Sequence, residues 1–509
     1  MGREGIKQPP LSWLVIVAAC SICYVVLSLR MAWQPDDSYI SYRYAKWFAA
    51  GEGLVWNRGE RVEGYTNFLW TVVLGLLHRA GADIPTAAAV MGFICGALVL
   101  AAVAYYAAPH VGRQWAGLIA LLLAISAPLA AWALSGMEVL PFTLAAVVMI
   151  GTYARDVQRS AILWRTALAA LALVLLRADG IVLVTILGLY HLITRRSLRA
   201  QVPALAIVIG TFLLHLAWRR WFYGEWTPNT AAAKAAVSWW HLQRGADYAW
   251  QFLTHEGIVV LPGLLALKPL RQPIAAFAFS ALAWILYVAC IGGDFMPNYR
   301  VLIPALVIGI VPAAAIAKSL FRGKSMSLAL VPIVLLLTWN ALPYSQNYRS
   351  LIYRRTTENP LNEMTGKWML AHTRQHDVIA ESWAGIRPYY AWPRTFIDML
   401  GLCDYHIAHT PPCSGRLPTG HEKWDIQYVL HRRPVIISAL VDRPLLGRPI
   451  PCQDYAPVRI GELNGQPVDC MVRRDHIQQF THLHRDPTLP RPGPSPGNRS
   501  TPPPSPPPL

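Results

Sequence analysis

Hydrophobic and polar positions divide this chain into two regimes. Over the first two-thirds, long apolar runs alternate with short polar connections; beyond about Pro343 the runs stop. Runs long enough to cross about 30 Å of hydrocarbon fall near residues 11–31, 86–107, 115–134, 138–154, 161–177, 178–194, 202–221, 256–268, 273–291, 301–319 and 326–343. They predict an α-helical polytopic membrane protein with about eleven transmembrane helices in residues 1–343. The first run follows Arg3 and Lys7 in the manner of a signal peptide. It is long and lacks a small-residue cleavage site, so it reads as a retained span.

Residues 67–78 are apolar but only about a dozen long, too short to cross. If they did cross, the parity of the basic connectors would invert from Arg113 onward. Those connectors are Arg113; Arg155 and Arg159; Arg195, Arg196 and Arg199; Lys268 and Arg271; Lys318, Arg322 and Lys324. Basic loops belong on the cytoplasmic side. The segment is therefore expected to be an interfacial or re-entrant helix on the outer face, with the N-terminus cytoplasmic.

Residues 344–484 are polar with mixed signals and predict a soluble α/β extracytoplasmic domain. Residues 359–370 read as a helix with its cap at Asn359, and Val435 to Val441 as a strand started by Pro434. Residues 485–509 are rich in Pro, Ser and Gly and predict a disordered, extended tail. Its Asn498-Arg-Ser500 is a short glycosylation-type match, weak on its own.

Composition sharpens this picture. The chain of 509 residues is 54% hydrophobic and 14% charged, far below the roughly 25% charged residues of soluble proteins. The net charge of +17 follows the basic connectors, so it speaks for membrane orientation and not for nucleic acid. Cys20, Cys23, Cys95 and Cys290 lie in apolar runs as small hydrophobes. Cys403, Cys413, Cys452 and Cys470 lie in the outer domain and suggest two disulfides. The local expectation is Cys403 with Cys413 and Cys452 with Cys470; two other connectivities stay open. No Cys/His pattern has zinc spacing.

With this topology the unusual polar residues collect on one face. The carboxylates are Asp36, Asp37, Glu63, Glu138, Asp179 and Asp294; the cations are Arg43, Lys46, Arg61, Arg177, Lys234 and Arg300. Tyr and Trp residues are dense between them. Adjacent carboxylates at a membrane surface suit general-base chemistry or a divalent metal. Guanidinium and ammonium groups suit a phosphate. Each feature alone has a plainer reading: a solvated acidic loop, an ion pair capping two spans, a helix N-terminal charge, an aromatic belt. Their gathering on one face is what structure alone does not explain. A transporter would place ionisable groups at mid-span, where this chain has few.

The stretch Asp36-Asp-Ser-Tyr-Ile-Ser-Tyr-Arg-Tyr-Ala45, then Gly51-Glu-Gly-Leu-Val-Trp-Asn-Arg-Gly-Glu-Arg-Val-Glu-Gly-Tyr-Thr-Asn-Phe-Leu-Trp70, resembles the first outer loop of mycobacterial-type terminal arabinofuranosyltransferases and pilin-modifying relatives. Ser135-Gly-Met-Glu138, Arg177-Ala-Asp-Gly180, Pro228-Asn-Thr-Ala-Ala-Ala-Lys234, Gly292-Gly-Asp-Phe-Met296 and Gly401-Leu-Cys-Asp404 follow in the family's order. The likeness covers roughly residues 30–410. It implies a GT-C type membrane glycosyltransferase of a bacterial inner membrane. Such an enzyme takes a pentose, arabinofuranose first, from a polyprenyl-phosphate donor and gives it to an envelope glycan or a pilin-like protein.

Carried onto this chain, the resemblance makes Asp36 the expected catalytic carboxylate, with Asp37 as its supporter or a metal ligand. An inverting reaction would use Asp36 as base; a retaining one needs a carboxylate as nucleophile or charge stabiliser. Arg43, Arg177, Lys234 and Arg300 are expected at the donor phosphate. Glu63, Tyr65, Thr66, Asn67, Glu138 and Asp294 are expected at sugar or acceptor hydroxyls. No nucleotide-binding loop is present, in line with a lipid-linked donor and no nucleotide cofactor. The alternatives are a lipid A-type aminoarabinose transferase and a lipid-linked sugar flippase.

Overall fold

The computed structural model describes residues 11–157, 163–195, 199–234, 239–256, 272–320, 347–412, 420–438, 454–463 and 466–477. The runs predicted at 256–268 and 326–343 lie outside these residues apart from Glu256, as do the tail, Cys413, Cys452 and the last three residues, 439–441, of the expected strand.

The apolar runs are helices. They are α1 (Leu11–Arg30), α4 (Ile84–Val111), α5 (Arg113–Ala124), α6 (Ala127–Ala133), α7 (Val139–Asp156), α8 (Trp164–Leu176), α9 (Gly180–Arg195), α10 (Val202–Tyr223), α13 (Ile274–Cys290) and α14 (Ile303–Leu320). Between them lie α2 (Asp36–Ala49), α3 (Phe68–Arg79), α11 (Asn229–Ala233) and α12 (Trp239–His255). By length and composition Ile84–Val111, Val139–Asp156, Val202–Tyr223 and Arg300–Leu320 can each cross a membrane. The pair α5 and α6, bent by 62°, passes the same test together and is either a fifth, broken span or a re-entrant loop. Pro128, at the first turn of α6, cannot donate into a continuous helix and suits a helix start.

The expected count of eleven is not confirmed. Trp164–Leu176, Gly180–Arg195 and Ala275–Cys290 are apolar but short. At 1.5 Å per residue, such helices reach only about 20–25 Å.

The apolar segment 67–78 falls in α3, whose twelve residues pack along α2 through Trp70, Thr71, Leu74 and Gly75. The C-terminal region begins with a helix at 347–353 that runs through a π-helical turn, Arg354–Glu358, into α15 (Asn359–His372). Asn359 therefore does not cap a helix start, as the sequence suggested. Its amide donates instead to the Gln34 carbonyl at 2.7 Å.

A five-stranded sheet follows: β1 (Val378–Glu381), β2 (Thr395–Asp398), β3 (Ile436–Ile437), β4 (Tyr455–Leu463) and β5 (Gln466–Arg473), in the order β2-β1-β3-β5-β4. β1 pairs in parallel with β2 and β3, and β3–β5 and β5–β4 are antiparallel. Ile379 and Ala380 at its centre are fully buried.

Candidate active site

The sheet domain and the loop that follows α1 are locked together. Arg43, on α2, is fully buried. Its guanidinium donates to the carbonyls of Trp56 (2.7 Å), Arg394 (2.6 Å) and Pro388, and to the Asn57 side chain. Asn57 also exchanges hydrogen bonds with the Phe396 backbone at 2.7 and 3.1 Å. Trp56 donates to the Ala384 carbonyl. The structure thus commits Arg43 to holding two segments together and keeps it from the phosphate position the sequence suggested.

Asp36 and Asp37 open α2 at the edge of a cavity of about 220 Å³. The Asp36 carboxylate accepts the Ile386 N–H at 2.7 Å and the Gly385 N–H at 2.9 Å. Gly385 is required there, because a Cβ would stand 1.9 Å from the Asp36 carbonyl oxygen. Burial pushes Asp36 up to about 7, and neighbouring Asp37 adds to this, while the two N–H groups oppose it. Asp37 faces Arg300 at 3.5 Å. Arg300 in turn grips Asp294 with two bonds of 2.8 and 2.9 Å.

Lys234 lines the same cavity. It is reached by solvent yet enclosed by protein walls. That enclosure lowers its pKa, opposed by Asp37 and Asp294. α11 carries Lys234 here because Asn229 donates to the carbonyls of Gly401, Leu402 and Asp404. The Pro228–Lys234 and Gly401–Asp404 motifs are therefore one joint.

The remaining expected residues form two further groups. Glu138 accepts from Arg177 (2.8 Å) and from Asn67 (2.7 Å), and Arg177 also chelates Asp179 through two bonds. The Thr66 carbonyl accepts from the Ala178 N–H at 3.4 Å, tying this group to the first loop. Glu63 is buried against Arg219, at 2.6 and 3.2 Å, and Tyr65 bonds the Tyr223 hydroxyl at 3.0 Å. Glu63 and Tyr65 thus anchor the loop to α10. Trp47, Trp56 and Trp70 are core residues, whereas Trp221, Trp226 and Trp239 are exposed.

Sequence reasoning did not single out Arg354, Glu358 or Trp383, which line the cavity from the C-terminal region. Nor did it foresee Gly385 and Ile386, some 350 residues from Asp36. None of them sits in a motif. Among the described residues no group of three or more His, Cys, Asp or Glu is placed to hold a metal ion. Asp37 already faces a guanidinium, so the acidic pair does not fit a metal site. Cys403 is buried with its sulfur against Gly64 and Tyr44. The pairings with Cys413 and Cys452 lie outside the described residues.

A profile described as "Domain of unknown function (DUF8728)" matches residues 345–478. The terminal β-(1→2)-arabinofuranosyltransferase of Corynebacterium glutamicum is 26% identical over 377 residues, 62% of this chain and 53% of that protein. The protein of the same name from Mycobacterium tuberculosis is 27% identical over 366 residues, 62% of this chain and 57% of that protein. The chain thus spans a little over half the length of these curated relatives. ArnT of Cupriavidus metallidurans bound to undecaprenyl phosphate superposes with a TM-score of 0.55 at 13% identity, over 92% of this chain and 99% of that one. An Archaeoglobus fulgidus oligosaccharyltransferase tethered to an acceptor peptide gives 0.51 at 12% identity, over 76% and 64%. In fold the chain is a GT-C glycosyltransferase-like multi-pass membrane protein with a small sheet domain near its C-terminus, and in sequence it is similar to terminal arabinofuranosyltransferases.

Proposed function

We propose that this protein is a glycosyltransferase that moves a pentose, arabinofuranose by its similarity, from a polyprenyl phosphate to an extracytoplasmic glycan or protein acceptor. The site would face the periplasm of a bacterial inner membrane. The observation that carries this reading is the cavity that gathers Asp36, Asp37 and Lys234 beside Arg300 and Asp294. Transfer forms a bond from the acceptor oxygen to the anomeric carbon, breaks the bond from that carbon to the phosphate, and leaves the acceptor proton to be placed.

Asp36 is suited to take that proton. Two backbone N–H groups fix its direction, and a pKa of about 7 matches a base working near neutrality. Asp37, facing Arg300, keeps negative charge near the sugar, where positive charge develops at the anomeric carbon. In a retaining course this second carboxylate carries the larger share. Lys234 and Arg300 are preorganised positive charge for the leaving phosphate. Glu138 with Arg177 and Asn67 supports the first loop from the bundle side.

The test is prenyl phosphate release by purified protein from synthetic polyprenyl-phosphoryl arabinofuranose, with a short arabinoside or a pilin peptide as acceptor. Wild type turns over, and Asp36→Asn falls at least about 100-fold, within the range of general-base contributions. Full activity in Asp36→Asn moves the proton elsewhere. Absence of wild-type turnover removes this donor.

A further inference from the structure

A lipid phosphate must enter a cavity that already carries three carboxylates. Asp36, Asp37 and Glu358 line it, against Lys234 and Arg354. Arg300 beside it is already engaged by Asp294 and Asp37. Among the described residues lining the cavity, Lys234 and Arg354 are the Lys and Arg side chains set against these carboxylates, so Arg354 supplies half of that positive charge.

Arg354 also stands where a lipid would arrive. α1 leaves Ile22, Val25 and Leu29 exposed along one side, as a helix facing hydrocarbon would. At the end of that stripe the Leu29 carbonyl accepts from Arg355 at 3.4 Å, and the Arg354 guanidinium lies 5.5 Å above the Trp33 ring. The 347–353 helix exposes Tyr348 and Tyr353, the residue type favoured at a membrane interface.

The backbone prepares Arg354 for this position. The π-helical turn Arg354–Glu358 interrupts the helix at the cavity. Such turns change which side chains face a given direction and recur at functional sites. Asn359 pins the turn to Gln34, two residues before Asp36. Glu358 lies 3.8 Å from the Arg354 guanidinium, too far for a hydrogen bond. The planar fork is thus oriented but not consumed, and a fork suits a phosphate better than a point charge does.

We propose that Arg354 binds the phosphate of a polyprenyl-phosphate lipid that reaches the cavity between α1 and the helix at 347–358, with Lys234 as the second cation. This rests on the lipid-linked donor reading above. It gives the domain of unknown function a direct part in donor binding. Arg354 exchanges the loose contact with Glu358 for the phosphate.

The experiment measures binding of decaprenyl phosphate and of uncharged decaprenol to the full chain in lipid nanodiscs, by native mass spectrometry. Arg354→Gln weakens decaprenyl phosphate at least tenfold and leaves decaprenol unchanged. Arg354→Lys recovers part of the loss, Glu358→Gln tightens binding, and Arg355→Gln behaves as wild type. Equal binding of decaprenyl phosphate by Arg354→Gln and wild type overturns the assignment while leaving the donor class standing. Equal loss of both lipids in Arg354→Gln overturns it too, since that marks a structural role. A wild type that binds decaprenol as well as decaprenyl phosphate, or neither, overturns the lipid-phosphate reading and this assignment with it.

Discussion

Asp36 carries a stability signature as well as a candidate role. Burial raises its folded pKa to about 7 from an ordinary value of 3.8. Between these two values the folded chain holds a proton that the unfolded chain has lost. This group's contribution to stability therefore falls as pH rises from about 4 to 7 and is level above that. In detergent, the thermal midpoint of wild type should decline across this window more steeply than that of Asp36→Asn, while kcat/KM rises with an apparent pKa near 7. Glu63 and Arg219 make a second residue-scale prediction. Both are almost fully buried, so Arg219→Met leaves a carboxylate alone and costs about 3–5 kcal/mol. Adding Glu63→Gln should restore most of that, as read from denaturant midpoints. The sequence exposed the acidic pair and Lys234 because they sit in dense motifs. It misled at Arg43, which follows Asp36 on the same side of α2 but two turns along. Two turns is about 10 Å, enough to move a cation from the cavity into the contact between domains.

At the scale of elements, the loop before α7 is set by one backbone position. Gly136 has φ +71, and a Cβ there would fall 1.7 Å from the Tyr42 hydroxyl. Its carbonyl also accepts from the Trp70 indole at 3.0 Å. Gly136→Ala should lower the melting temperature, with about 1–2 kcal/mol from the left-handed backbone alone. Gly188→Ala, with nothing within 4 Å of the added carbon, should leave it unchanged or higher. The membrane helices were legible because a period of apolar residues is a strong signal over twenty positions. So was the short α3 as a helix, although its length does not separate it from α8, one residue longer. The strands β1 and β2 were not, since four residues each carry too little pattern. The continuous helix through Arg354–Glu358 was hidden for another reason. A π turn shifts the apolar period midway, and only the second half, residues 359–370, read as a helix.

At the scale of the whole molecule, the sheet domain is part of the fold around the first loop and not an appendage to it. The GT-C-like architecture was implied by the family resemblance of the motifs, but the docking of residues 384–398 onto residues 36–57 could not be read, because no local pattern records a contact so distant in sequence. A chain ending at residue 343 would expose Arg43 and release Asp36 from Gly385 and Ile386. It should insert into membranes yet show a first loop cut rapidly by added protease, with no transfer to any acceptor. Those same contacts set a timetable. The partners of Asp36 and Arg43 lie 345 to 351 residues downstream. At a synthesis rate of about 5–20 residues per second, the first loop waits roughly 20–70 seconds outside the membrane before its partners emerge. On the proposed function, the site around Asp36 is assembled only when residues 385–394 have been made, so a prematurely terminated product is expected to leave lipid-linked sugar untouched.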